Sequence, residues 1–226
     1  MRQPPIVLVA LVVSVLLAGC TTAGHAVRAN APSFIPRPLV ERELGALLLT
    51  ADQVNAAMQT TGMAITSSGS AMADNSAGVA PAECLALDGP AEAAVYANNG
   101  FTAERDQSFN NGDRFTHYLK QAVVLYPVVD QATAFLDASA RQWRTCSEFT
   151  HPQSGSRWSV GPISYAHGTL STVVTQQEAA APGWGCGRAI ALRNNVVIDV
   201  NTCSAAPGDS ALRIANQIGE TVAAQW

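Results

Sequence analysis

The side chains in this sequence that could take part in chemistry are few, and cysteines lead them with five. The four histidines are scattered, and no His-Glu-x-x-His, Gly-x-Ser-x-Gly or phosphate-binding glycine loop occurs. No Cys-x-x-Cys or paired histidine spacing suits a metal ion. We therefore expect no catalytic residue, no metal and no cofactor, and we expect the cysteines to serve covalent structure.

Two of the cysteines are brought together by the register of a hairpin. Val- and Ile-rich segments flank the Asn-Asn dipeptide at 194–195, and asparagine tolerates the positive φ of a two-residue turn. A turn there pairs Arg193 with Val196, and the same register pairs Cys186 with Cys203 at a non-hydrogen-bonded position. The Cα atoms at such a position lie roughly 4.5 Å apart, within reach of a disulfide. We predict a Cys186–Cys203 disulfide.

The fifth cysteine belongs to the N-terminus. A basic start precedes an apolar run at 6–17, about a dozen residues, which is too short for a bilayer and typical of a secretory signal peptide. The run ends in Leu17-Ala18-Gly19-Cys20, which looks like the lipobox of bacterial lipoproteins. That resemblance implies cleavage after residues 1–19 and a diacylglyceryl group on Cys20. The alternative is a plain secretory signal with a coincidental cysteine.

The remaining cysteines form an even set if Cys20 is lipidated, and an oxidising compartment favours their pairing. The hairpin register selects the pair Cys186–Cys203, which leaves Cys84 with Cys146 by elimination. A metal site is the rival interpretation, and the spacing argues against it.

Composition indicates one globular domain and excludes a nucleic-acid partner. Apolar residues make up 48% of the 226 residues and charged residues 13%. The net charge is −4, with 13 basic residues against 17 acidic ones, and Lys120 is the single lysine. A surface that binds a phosphate backbone gathers Lys and Arg, and no such cluster exists.

Helices and hairpins are the elements that must position these side chains. A Thr50–Gln53 capping box starts a helix that stops near Gly62. Periodic apolar residues predict further helices at 90–96, 128–146 and after Pro207. Hairpins are predicted at 101–126, 157–177 and 186–203, and 66–82 is expected to be an exposed loop. The pattern predicts an α+β fold, an antiparallel sheet built from hairpins with helices packed on it and two disulfides.

The mature chain is expected to divide into a tether and a domain. Residues 20–45 contain the lipidated Cys20 and a segment rich in proline and small residues, typical of a flexible tether. Residues 46–226 form the predicted domain.

Five side chains are candidates for a ligand site. Trp158 and Trp184 could form aromatic walls, although tryptophan is more often simply core. Arg188 and Asp199 lie diagonally on the face of the disulfide, as either an exposed ion pair or a polar anchor at a cleft. His117, on a strand, is the histidine that could line a cleft, with a satisfied sheet histidine as the alternative.

Several motifs together resemble one family. They are Leu49-Thr50-x-x-Gln53-Val54, Gln142-Trp143-Arg144-Thr145-Cys146, Trp158-Ser159-Val160-Gly161 and the hairpin at 186–203. In these the chain resembles the PknH-like extracellular sensor domain, found outside the membrane on a mycobacterial Ser/Thr protein kinase and on many mycobacterial lipoproteins. The resemblance covers about residues 46–226. It implies an α+β domain with two disulfides and a cleft for an unidentified ligand, and it supplies no catalytic residues.

The leading hypothesis is therefore a protein anchored by its lipid on the extracytoplasmic face of the cell membrane. Its outer domain would bind a small-molecule, lipid or cell-wall ligand. The chain shows no kinase domain, so any signal is expected to pass through a partner. The alternatives are a scaffold that binds another envelope protein and, third, a hydrolase with a triad assembled from distant Ser, His and Asp residues.

Overall fold

A single antiparallel sheet organises the computed structural model, which describes residues 37–225. Its strands are β1 Ala64–Gly69, β2 Ala103–Asn110, β3 Tyr118–Leu125, β4 Glu148–His151, β5 Ser156–Val160, β6 Ser164–Ala166, β7 Thr169–Gln176, β8 Gly185–Arg193 and β9 Val196–Ser204. They lie in the order β1-β2-β3-β9-β8-β7-β5-β4, with β6 beside β7. Every neighbouring pair is antiparallel.

Helices cover both faces of the sheet. They are α1 Ala51–Met58, α2 Leu85–Asp88, α3 Ala93–Tyr96, α4 Val129–Trp143 and α5 Ser210–Ala223, with 3₁₀ turns at Glu41–Ala46, Ser76–Gly78 and Ala82–Cys84. The helices α1 and α5 bury an apolar cluster against one face, and α2, α3 and α4 bury a second cluster against the other. The α+β fold predicted from the sequence is confirmed.

The β8–β9 hairpin has the predicted register. Arg193 pairs with Val196 and Cys186 with Cys203. Asn194 takes a φ of 53°, which is the left-handed conformation that the turn requires. The two cysteines are disulfide-bonded with their Cα atoms 4.1 Å apart.

The second predicted disulfide is also present. Cys84 and Cys146 are bonded, with a Cα–Cα distance of 5.5 Å. The bond ties the 3₁₀ turn Ala82–Cys84 to the segment after α4, because that helix ends at Trp143 and Cys146 follows it at a buried position.

The helix patterns of the sequence are largely confirmed. Thr50 caps α1 and Gln53 returns the hydrogen bond, as a capping box does. The predicted stripe of α5 is buried at Ala211, Ile214, Ala215, Ile218 and Val222. Val128 is an exception in the α4 stripe, because it precedes the helix and is 48% exposed.

Three short segments differ from the predictions. Part of the predicted loop at 66–82 is strand β1, whose side chains are mostly exposed and therefore lack an alternating pattern. The helix predicted from Pro90 begins at Ala93. Strand β4 was missed, and the predicted strand at 157–166 is interrupted between β5 and β6 around Pro162, which cannot donate a backbone hydrogen bond.

The folded chain begins earlier than the predicted boundary at residue 46. Leu39 and Leu44 are buried in the cluster under α1 and α5. Asn195 of the hairpin turn holds this segment, since its Oδ1 accepts from Leu39 N at 2.8 Å and its Nδ2 donates to Leu39 O at 3.1 Å. The predicted signal peptide at 1–19, Cys20 and most of the predicted tether lie outside the described residues. Within residues 37–225, no helix has the length and apolar character needed to cross a bilayer.

Candidate ligand-binding cleft

A cleft of about 420 Å³ lies on the sheet face that α2, α3 and α4 cover. Aromatic and polar side chains dominate its lining. The aromatic ones are Phe115, Tyr118, Trp158 and Trp184, and the polar ones include Asn75, Asp88, Glu92, Ser108, Lys120, His151 and Asn201. This volume and this mixture are typical of a site for a small ligand.

Strand register explains the floor of the cleft. Directly paired residues form one row, Ser108–Lys120–Asn201, across β2, β3 and β9. A neighbouring row runs Tyr118–Cys203–Cys186–Val174 through β8 to β7. Residues in one row point to the same face, so the disulfide and the single lysine of the sequence lie side by side beneath the cleft.

The aromatic side chains of Phe115 and Trp184, both from loops, form part of the cleft wall. The ring centroid of Phe115 lies 6.3 Å from that of Trp184 and 6.3 Å from that of Tyr118. Phe115 is 43% exposed even though it is a large apolar residue. Trp158 is more deeply buried and stacks on Phe149 at 6.0 Å. Exposed aromatic surface beside a concavity favours a binding role over a packing role.

The opposite wall, residues 88–92, is held from below by Arg188. This residue is 1% exposed, and its Nη2 donates to the carbonyl oxygens of Ala86 at 2.8 Å and Gly89 at 3.2 Å. These carbonyls end α2, where a cation is favourable. The guanidinium also lies over the ring of Trp143, 5.5 Å from its centroid.

Asp199 completes this support. Its Oδ1 lies 2.9 Å from Arg188 Nη2. Its Oδ2 accepts from Ala91 N at 3.0 Å and from Tyr96 OH at 2.9 Å. Burial, together with the charge of Asp199, raises the pKa of Tyr96 well above its usual value. The pair is thus a buried cross-link between the sheet and the α2–α3 segment.

His151 and Asp88 connect the two sides of the cleft. His151 Nε2 lies 2.7 Å from Asp88 Oδ1, and both side chains are partly exposed. On its other side, His151 Nδ1 lies 3.2 Å from Ser156 Oγ, which also accepts from Trp158 Nε1 at 3.2 Å. Ser156 itself is not among the residues that line the cleft.

A buried pair of carboxyl groups lies further along β2 on the same face. Glu104 is 1% exposed and Asp106 7%. Burial first, and then the neighbouring Asp106 carboxyl, raise the pKa of Glu104 to about 8. The charge of Lys120 partly offsets this rise. Over the described part of the chain, no group of His, Cys, Asp and Glu side chains is placed to hold a metal ion.

Of the five residues predicted to contact a ligand, only two line the cleft. Trp158 and Trp184 line the cleft, and their role as aromatic walls of a ligand site stays a prediction. Arg188 and Asp199 lie beneath its wall and are fully buried, so the predicted exposed pair or polar anchor is a structural support. His117 lies outside the lining, with its Nδ1 3.0 Å from Thr116 Oγ1.

Sequence analysis missed His151 and Asp88. His151 was not singled out, because β4 is only four residues long and shows no clear pattern. Their contact joins residues 63 positions apart, and no spacing rule connects them. Lys120 is the single lysine of the sequence, and it was used only in the charge count and not assigned to a site.

The sheet, the two disulfides and the cleft together define the class of the protein as a disulfide-bonded α+β domain with a cleft on one sheet face. The chain belongs to the PknH-like extracellular domain family, which matches residues 39–220.

Relatives of known identity agree with this assignment. The chain is 34% identical to the serine/threonine-protein kinase PknH of Mycobacterium tuberculosis (strain ATCC 25618 / H37Rv) over 219 residues, which cover 95% of this chain and 33% of the kinase. It is 33% identical to PknH of Mycobacterium bovis over 86% of this chain and 32% of that one. The chain thus spans about a third of the length of these relatives.

The fold agrees with a solved structure. The crystal structure of the extracellular domain of PknH from Mycobacterium tuberculosis matches with a TM-score of 0.79 and 32% identity. The match covers 84% of this chain and 99% of that domain.

Proposed function

We propose that this chain is a lipid-anchored protein of the cell envelope whose outer domain captures a small ligand in the cleft. The observation that carries this proposal is the cleft itself, with about 420 Å³ lined by aromatic and polar side chains, of which Phe115 is 43% exposed. The lipobox-like Leu17–Cys20 segment and membership of an extracellular domain family support the location.

A preformed site favours binding, because little conformational freedom is lost when the ligand enters. Here the floor is fixed by the Cys186–Cys203 disulfide, and the wall at 88–92 is fixed by Arg188 and Asp199. The aromatic wall of Phe115 and Trp184 comes from loops, where adjustment to a ligand is easiest.

Binding in the cleft can be tested by thermal unfolding in the presence of fractionated envelope extracts. We expect at least one fraction to raise the Tm of the wild-type protein and not that of Phe115→Ala/Trp184→Ala. A matched control is Tyr165→Ala, because Tyr165 is 41% exposed, close to the 43% of Phe115, and lies outside the cleft. A shift that survives in the double variant would place binding elsewhere.

The lipid anchor is tested separately. Intact-mass analysis of protein extracted from membranes should show a chain that begins at Cys20 and carries acyl groups. Cys20→Ala should be released from the membrane fraction. An unmodified N-terminus on the wild-type protein would contradict the anchor and leave the cleft proposal standing.

A scaffold role is a second candidate, because β1 leaves an open sheet edge. Its residues Ala64–Gly69 are mostly exposed, with Ile65 at 50%. An open edge can pair with a strand of another protein. Photo-crosslinking from position 66 in cells would capture a stoichiometric envelope partner if this role is correct.

A further inference from the structure

The charges of the cleft restrict the ligand that the proposed function requires. Asp88 and Glu92 line it opposite Lys120. Glu92 accepts from Asn75 N at 3.0 Å and from Asn75 Nδ2 at 2.8 Å, while Asp88 is paired with His151. An anionic ligand would lie against two carboxylates, and a cationic ligand would lie against the ammonium group. The two carboxylates disfavour an anionic ligand, and the Lys120 ammonium disfavours a cationic group placed next to it.

Tyr118 in the floor of the cleft shows that further negative charge is unfavourable there. Burial is the main cause that raises the pKa of its hydroxyl, and the carboxylates of Asp106, Asp88 and Glu92 add to the rise. A phosphate or carboxylate group of a ligand would experience the same repulsion.

The lining is also unsuited to a purely apolar ligand. The row Ser108–Lys120–Asn201 places hydrogen-bonding groups across the floor. Within residues 37–225, the Lys120 ammonium makes no hydrogen bond or ion pair at bonding distance to another side chain, although it lines the cleft. An acyl chain would remove water from these groups without replacing its hydrogen bonds, which is costly.

Aromatic rings and hydrogen-bonding groups thus line one cleft, and a fitting ligand has both an apolar face and hydrogen-bonding groups. A sugar ring has the complementary surface, because its C–H groups present an apolar face and its hydroxyls donate and accept at the edges. The apolar face packs on an aromatic ring such as Trp184 or Phe115. The hydroxyl edge is satisfied by an ammonium group such as that of Lys120, whereas the Asn201 amide is 2% exposed and its Nδ2 already donates to Asp88 O at 3.1 Å.

We propose that the cleft binds a neutral saccharide, with a sugar ring packed against Phe115 and Trp184 and a hydroxyl hydrogen-bonded by Lys120. This inference rests on the proposed function and specifies its ligand class. The size of the cleft suits a short saccharide or the end of a longer glycan.

The single lysine provides a direct probe. Reductive ¹³C-methylation of the purified full chain keeps the positive charge and gives one lysine NMR signal, which Lys120→Arg identifies against the terminal amine. The methylated protein is titrated with neutral di- and trisaccharides of glucose, mannose, galactose and arabinose. Matched disaccharides that contain glucuronic acid or glucosamine, and lauric acid, are titrated in parallel.

We expect a saturable shift of the Lys120 signal with at least one neutral saccharide. Trp184→Ala should weaken its affinity about 5- to 10-fold, Trp184→Phe should restore most of it, and Tyr165→Ala should leave it unchanged. Isothermal titration calorimetry on unmethylated protein should give the same order of affinities.

The remaining outcomes separate the two proposals. Tighter binding of an acidic saccharide, an amino sugar or lauric acid would overturn the neutral-saccharide inference and leave ligand binding in the cleft intact. If no probe shifts the Lys120 signal while an envelope fraction still stabilises the protein through Phe115 and Trp184, the ligand class is wrong. If neither experiment detects binding, both proposals fail.

Discussion

The buried charges of Arg188 and Asp199 contribute to the stability of this domain. Arg188 and Asp199 are each 1% exposed and hold the α2–α3 segment on the sheet through backbone contacts. Removing one partner leaves the other charge buried and unpaired, which is much more costly than losing an exposed pair.

Arg188→Ala is therefore expected to destabilise the domain by about 3–5 kcal/mol. The matched control is Arg157→Ala, whose pair with Glu178 lies at the surface and should contribute less than about 1 kcal/mol. Urea unfolding, read by tryptophan fluorescence, measures both. Equal losses in the two variants would show that Arg188 does not support the wall of the cleft.

The raised pKa of Glu104 leads us to expect that the stability of the domain depends on pH. Its pKa is about 8 in the folded protein, above the usual value near 4.5, so folding favours the protonated carboxyl. Its stabilising contribution is complete below about pH 4.5 and is lost as the pH rises to about 8.

The free energy of unfolding should fall across this window, by at most about 1.4 kcal/mol per pH unit for one proton. Glu104→Gln should remove this part of the slope, and Glu220→Gln, at an exposed position on α5, should keep it. Parallel pH profiles for wild type and Glu104→Gln would contradict the raised pKa.

The hairpins and long helices could be predicted from the sequence, whereas the short edge elements could not. The β8–β9 pairing follows from turn chemistry and register, and α4 and α5 follow from apolar periodicity. Strand β1 is held by backbone pairing with exposed, mostly small side chains, so its pattern carries no signal.

The cleft could be predicted only in part, because several of its contacts join residues that are distant in the sequence. Trp158 and Trp184 were identified by residue type, but Asp88 reaches His151 only through the tertiary fold. The burial of Arg188 and Asp199 depends on the α2–α3 segment, which no hairpin rule places above them.

The two disulfides close loops of different length. The bonded cysteines are 17 positions apart in β8–β9 and 62 apart in the Cys84–Cys146 pair. Loop-closure entropy predicts losses of about 3 and 4 kcal/mol on replacing each pair with serine or alanine. Denaturant midpoints of the two double variants measure this, with the larger loss expected for Cys84/Cys146. No loss in either variant would contradict a stabilising role.

For the whole molecule, the segment that contains Leu39 and Leu44 is part of the folded domain. Leu39 and Leu44 are buried, and Asn195 holds the backbone of Leu39. A chain that starts at residue 46 should therefore be less stable than one that starts at residue 37, by several kcal/mol for two large buried side chains. Thermal unfolding compares the two truncations. Equal Tm values would restore the boundary predicted from the sequence.

The account of the whole molecule depends on whether the cleft holds a ligand. Native mass spectrometry of the protein extracted gently from its own membranes measures this most directly. We predict an additional non-covalent mass of a small molecule on the wild-type and Tyr165→Ala proteins, absent from Phe115→Ala/Trp184→Ala. A wild-type protein that carries no additional mass, or a double variant that retains it, would contradict ligand capture in this cleft.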